Sequence, residues 1–110
     1  MGEPPSFTGA IREIADGLCH ARPTHAVLNR ASSAIDQLGR RLHGLGYVRS
    51  REIADCFTAA LADLDASHAL PEETRAEAVR RAIGRLEGAL EHAAAGVLPD
   101  RPGAGAVRNG

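Results

Sequence analysis

Residues 71–96 read PEETRAEAVRRAIGRLEGALEHAAAG, and the spacing of their apolar positions decides the fold class. Ala76, Val79, Ile83, Leu86, Leu90 and Ala93 recur at alternating steps of three and four, and Val97 follows. That spacing lays one seam along an α-helix. Pro71 suits the first helical position, where its missing N–H is no loss. Glu72 and Glu73 place negative charge at the positive end of the helix dipole. Gly96 suits the residue just past the helix, and Pro99 prevents continuation. One helix with one apolar stripe is not stable alone in water, so the rest of the chain must cover it.

Three further stripes precede it. Phe7, Ile11, Ile14 and Leu18 predict a first helix, capped by Ser6 or Thr8 and running to about Ala21. Gly9 and Gly17 cost this helix roughly 1 kcal/mol each relative to Ala, which makes it the weakest. Arg22-Pro23-Thr24 is a break, with Thr24 or Arg22 as the next cap. Leu28, Ala31, Ile35, Leu38, Leu42 and Leu45 predict a second helix from about His25 to His43, ended by Gly44 and Gly46. Asp36 and Arg40 form an acid-before-base pair on it. Ser50 is the expected cap of a third helix running to about Ser67, with Ile53, Phe57, Ala60 and Leu64 as its seam and Leu61 widening the stripe.

No strand pattern is left over, and three short connections make consecutive helices antiparallel neighbours. The expected fold is therefore all-α, an up-down-up-down antiparallel four-helix bundle. The alternative is a pair of helical hairpins that complete the bundle by dimerisation. The bundle domain is expected over residues 6–98, between a flexible N-terminus at 1–5 and a disordered tail, PDRPGAGAVRNG, at 99–110.

Composition narrows the function classes. The formal net charge of −1 over 110 residues demands neither nucleic acid nor an anionic membrane as partner. No apolar run approaches the roughly 20 residues of a membrane span, and MGEPPSFTGA lacks the apolar centre of a secretory signal. These features point to the cytoplasm. With aromatics at 3% and no Trp, the core must be built from Leu, Ile, Val and Ala. All thirteen basic residues are Arg, a usage expected of GC-rich bacterial coding.

The topology groups one set of chemically able side chains. Cys19, His20, His25 and His68, with Glu72 and Glu73 nearby, share one rim of the expected bundle, and mixed Cys and His ligands suit zinc or another transition metal. Cys19 and His20 are adjacent, however, and diverge by about 100° on a helix. The spacings Cys-x-x-Cys, His-x-x-x-His and Glu-x-x-His are absent, so polar capping of helix ends is preferred and no metal or other cofactor is expected. Cys56 lies toward the other rim, too far from Cys19 for a disulfide. No nucleophile–base set, phosphate loop or dinucleotide fingerprint can be assembled, which argues against an enzyme. Val48 to Ala54 resembles the opening of a helix-turn-helix only superficially, because the helical pattern runs on without the turn.

What remains is surface. Arg22, Arg30, Arg40, Arg41, Arg49 and Arg51 oppose only Asp36, while the third helix is acidic, so the two are expected to complement each other. On the fourth helix Glu77, Arg81, Gly84, Gly88, Glu91 and Ala95 fall opposite the expected seam, and the two glycines would let a partner approach closely. The leading expectation is a small non-catalytic regulator or inhibitor that masks a site on a larger protein, with a phage- or operon-encoded antagonist, such as an anti-defence or immunity protein, as one fitting type. Protein-binding residues are then Glu77, Arg81, Gly84, Gly88 and Glu91, with Arg30, Arg40 and Arg41 on the second helix. The alternatives are a metal-binding or metal-sensing bundle using the Cys19/His20/His25/His68 rim, and nucleic-acid binding through the Arg22–Arg51 cluster.

Overall fold

The computed structural model describes residues 6–95; the expectations for 1–5, Gly96, Val97 and 98–110 lie outside that range. Four helices follow in order: α1 (Phe7–His20), α2 (His25–Leu42), α3 (Ser50–His68) and α4 (Arg75–Ala95). Each packs on its neighbour in sequence, and α1 also packs on α4, which closes the ring of a four-helix bundle. No helix among the described residues is long and apolar enough to cross a membrane.

The caps explain where the first two helices start. Ser6 accepts a hydrogen bond from the Gly9 N–H at 3.0 Å, and Thr24 accepts from the Val27 N–H at 3.2 Å. Each satisfies a donor that the helix itself leaves over. The third start differs from expectation. Ser50 is already helical, and the cap position is Arg49, which makes no side-chain cap bond. Gly46, with φ of 70°, takes the left-handed conformation that turns the chain between α2 and α3.

The seams of α2 and α3 fall where periodicity puts them. Leu28, Ala31, Ile35, Leu38 and Leu42 are buried on α2, as are Ile53, Phe57, Ala60 and Leu64 on α3. Leu45 is the exception. It lies beyond the end of α2 and is 40% exposed. On α1, Phe7, Ile11 and Leu18 are buried and Ile14 packs against the core from its edge.

The fourth helix departs most from its sequence reading. Pro71 is extended, Glu72–Thr74 form a 3₁₀ turn, and the α-helix begins at Arg75. The buried residues of α4 are Arg75, Ala78, Val79, Ala82, Leu86, Ala89 and Ala93, while Ala76 is exposed and Ile83 and Leu90 are half-buried. At 100° per residue, the stripe is rotated by about 50° from the one drawn through the largest side chains. The cause is the closeness of α3 and α4. Ala60 on α3 and Ala82 and Ala89 on α4 are fully buried, and such small side chains occupy the centre of a tight helix pair. Ile83 and Leu90 are displaced to the flank, where they face α1.

The expected charge complement between α2 and α3 is not formed. Among the described residues no ion pair joins them; Asp63 of α3 instead meets Arg85 of α4 at 3.2 Å, and Arg40 pairs within α2 to Asp36 at 3.1 Å.

Candidate functional site

The short links 21–24 and 69–71 gather the end of α1, the start of α2, the end of α3 and the start of α4 at one rim, as the topology requires. The group assembled there is built on a residue that sequence reasoning passed over. Arg75 is only 6% exposed. Its Nε donates to the Ser67 and Leu70 carbonyls at 3.0 and 2.9 Å, and one terminal nitrogen donates to the Pro23 carbonyl at 2.9 Å. The other terminal nitrogen lies 3.0 Å from His25 Nε2. A buried guanidinium is tolerable only when its donors are satisfied in this way. The sequence did hold a signal: Arg75 stands in step with Val79, Ala82 and Leu86, a charge inside an apolar register.

His25 and His68 meet beside it. Their rings are parallel within 3°, their centroids are 4.9 Å apart, and Nδ1 faces Nδ1 at 2.6 Å. Non-bonded atoms of rings stacked face to face keep about 3.5 Å or more. These rings therefore lie edge to edge, and a hydrogen bond joins the two Nδ1 atoms. The donor inventory assigns the protons. Arg75 has no acceptor to offer, so His25 Nε2 must accept from it. A neutral His25 then carries its proton on Nδ1 and donates to His68 Nδ1, which leaves the His68 proton on Nε2.

The other members of the expected rim do not join the pair. His20 turns back onto its own helix, with Nδ1 2.9 Å from the Asp16 carbonyl and 3.1 Å from the Asp16 carboxylate. Glu72 pairs with Arg22 at 2.7 Å. Cys19 is exposed and lines a groove with Ala15, Ile83 and Leu90. Among the described residues no three His, Cys, Asp or Glu side chains are grouped to hold a metal ion. The His25–His68 pair is also poorly suited to chelation. A metal on His25 Nδ1 would move the ring proton to Nε2, where it would face an Arg75 donor.

The expected interaction residues are divided in the same way. Glu77, Arg81, Gly84 and Glu91 are exposed on α4, and a Cβ at Gly84 would meet nothing within 4 Å. Gly88 does not belong with them. It is half-buried against α3, where a Cβ would stand 3.4 Å from Cys56 Sγ. Burial pushes the Cys56 thiol up from its ordinary value, Arg85 opposes the shift and Asp55 adds to it. The arginine cluster is split as well. Arg22 lies at the rim of Arg75, whereas Arg40, Arg41, Arg49 and Arg51 gather at the opposite end, and Arg30 stands between.

A feature without a sequence signal is the groove between α1 and α2. Ile14, Leu18, Val27 and Ala31 form its walls, Gly17 leaves it open, and Glu13 and Arg30 stand at its edge around a volume of about 300 Å³. The chain matches no protein-family model, no curated protein and no solved structure, so the reading of these surfaces rests on their geometry.

Proposed function

We propose that this bundle is a non-catalytic, protein-binding regulator or inhibitor that masks a site on a larger protein. The observation that carries the reading is the α1–α2 groove. Its apolar walls offer a seat for one anchoring side chain, and the opposite charges of Glu13 and Arg30 at its edge give orientation. The outward face of α4, with Glu77, Arg81, Gly84 and Glu91, is a second flat contact area. A phage- or operon-encoded antagonist is one type of protein that fits this form.

Gly17→Leu tests the groove. A Cβ at Gly17 meets nothing within 4 Å, so the new side chain enters the groove without a clash at its root. Leu is also the better helix former, by several tenths of a kcal/mol. Tagged wild-type protein expressed in its native host should capture a stoichiometric protein partner, and Gly17→Leu should lose it while remaining folded. Retention of full capture by Gly17→Leu, with loss in Gly84→Leu, would transfer the contact to α4. Salt-dependent binding of duplex DNA with no protein captured would replace the proposal with the nucleic-acid reading.

A further inference from the structure

We propose that the loop joining α2 to α3 is a docking tip for an anionic lipid surface, with Leu45 and Val48 as its apolar contacts and Arg40, Arg41, Arg49 and Arg51 as the ring that meets lipid phosphates.

The charge is local. Between Asp36 and Glu52 the sequence carries four arginines and no acid, inside a chain whose formal net charge is −1. All four are exposed. Arg40 and Arg41 stand in the last turn of α2, and Arg49 and Arg51 stand at the start of α3, so the two pairs flank the loop. Of the four, only Arg40 is in an ion pair among the described residues, the exposed contact with Asp36 at 3.1 Å. A pair of that kind gives way readily to another anion. Arg41 lies 5.9 Å over the Phe7 ring, a contact that leaves its charge unneutralised.

The apolar part is held in place. Leu45 is 40% and Val48 67% exposed, two of the three large apolar side chains exposed among the described residues. Tyr47, between them, is turned inward, with its ring 5.3 Å from that of Phe7. The Gly44 and Leu45 N–H groups donate to the Arg41 and Leu42 carbonyls at 3.0 and 3.1 Å, and the Ser50 N–H donates to the Tyr47 carbonyl at 3.2 Å. Gly46 supplies the left-handed turn. This backbone keeps Leu45 and Val48 in water, at a cost that transfer to an apolar boundary removes.

Arginines alone would equally suit a nucleic acid or an acidic protein surface, but either would leave Leu45 and Val48 wet. A bilayer with anionic lipid takes both parts. Its phosphates meet the arginines, and the boundary beneath its headgroups takes the apolar side chains. The α1–α2 groove lies toward the Arg75 end, where Leu18, Ala21 and Val27 line it, so a chain docked by this loop keeps that groove open.

The test is co-sedimentation of the full chain with vesicles of phosphatidylcholine alone, and of phosphatidylcholine and phosphatidylserine in equal parts. Binding is expected to the mixed vesicles only, and should weaken as salt is added. Arg49→Gln and Arg51→Gln should each lower the affinity about fivefold, the factor that corresponds to about 1 kcal/mol per basic residue at such a surface. Arg49 makes no side-chain cap bond, so its replacement leaves the start of α3 intact. Leu45→Ser with Val48→Ser should lower the affinity about tenfold at unchanged helix content. The chain has no Trp, so Val48→Trp carries a single indole at the tip, and its emission should move to shorter wavelength on the mixed vesicles. The proposal is overturned if wild type does not sediment with the mixed vesicles, or if the indole emission stays that of water while the protein sediments. It is equally overturned if the Leu45→Ser, Val48→Ser protein binds as wild type does, which would leave the arginines to another polyanion such as duplex DNA. The wild-type sedimentation needs no variant.

Discussion

At one end of the bundle Phe7 meets Tyr47 and Phe57, with ring centroids 5.3 and 6.0 Å apart, and Arg41 lies 5.9 Å over the Phe7 ring. At the other end Arg75 is buried among three carbonyls and an imidazole. All three Phe and Tyr residues of the chain are spent on the first end. The aromatic end is held by area and shape, which are indifferent to proton concentration. The arginine end is held by a matched set of donors and acceptors, in which each buried carbonyl needs its donor. Two ways of closing a bundle thus coexist in one chain, and they should fail under different conditions.

The largest expected effect lies at the aromatic end. Phe57 is buried and central to the ring cluster, so Phe57→Ala should cost about 3–5 kcal/mol in urea unfolding, equally at neutral and mildly acidic pH. A loss below about 1 kcal/mol would break the contrast between the ends. Next is Arg75→Met, which keeps an apolar stem but removes every donor. It should cost about 2–4 kcal/mol by leaving buried acceptors unpaired. A loss below about 0.5 kcal/mol would mean that water serves those carbonyls as well as the guanidinium does.

A smaller pair of changes sharpens the phase of α4. Gly88→Leu should destabilise by about 1–3 kcal/mol, since its Cβ already touches Cys56 Sγ at 3.4 Å and the rest of the side chain has to be fitted between α4 and α3. Gly84→Leu, into open space, should leave stability unchanged or raise it by up to about 1 kcal/mol. The apolar spacing places both glycines outward, which implies no loss of stability from Leu at either. Equal thermal stability of the two variants would restore that view.

The stripes of α2 and α3 were legible because Leu, Ile and Phe mark their buried faces without competition from Ala. On α4 the same procedure selected Ile83 and Leu90 over Ala82 and Ala89, and so set the helix off phase. Weighting by side-chain size fails where two backbones approach closely, since the centre of such a contact has room only for small residues. The rim was legible in outline: His25 and His68 do meet. Cys19 and His20, predicted beside them, face other ways because each turn of helix redirects its neighbour. Arg75 was missed because a charged residue near a helix start ordinarily reads as solvated.

Periodicity and the short connections determined four helices, their order and their antiparallel arrangement, because apolar stripes must be covered and short links allow only neighbouring helices to do it. The caps at Ser6 and Thr24 were equally local, each a side chain serving a backbone donor three residues on. The burial of Arg75, the edge-to-edge meeting of His25 with His68, the inward turn of Gly88 and the groove at Gly17 were decided only by tertiary structure. Each depends on the rotation of one helix against another, and that rotation is set by the summed fit of side chains across the whole interface.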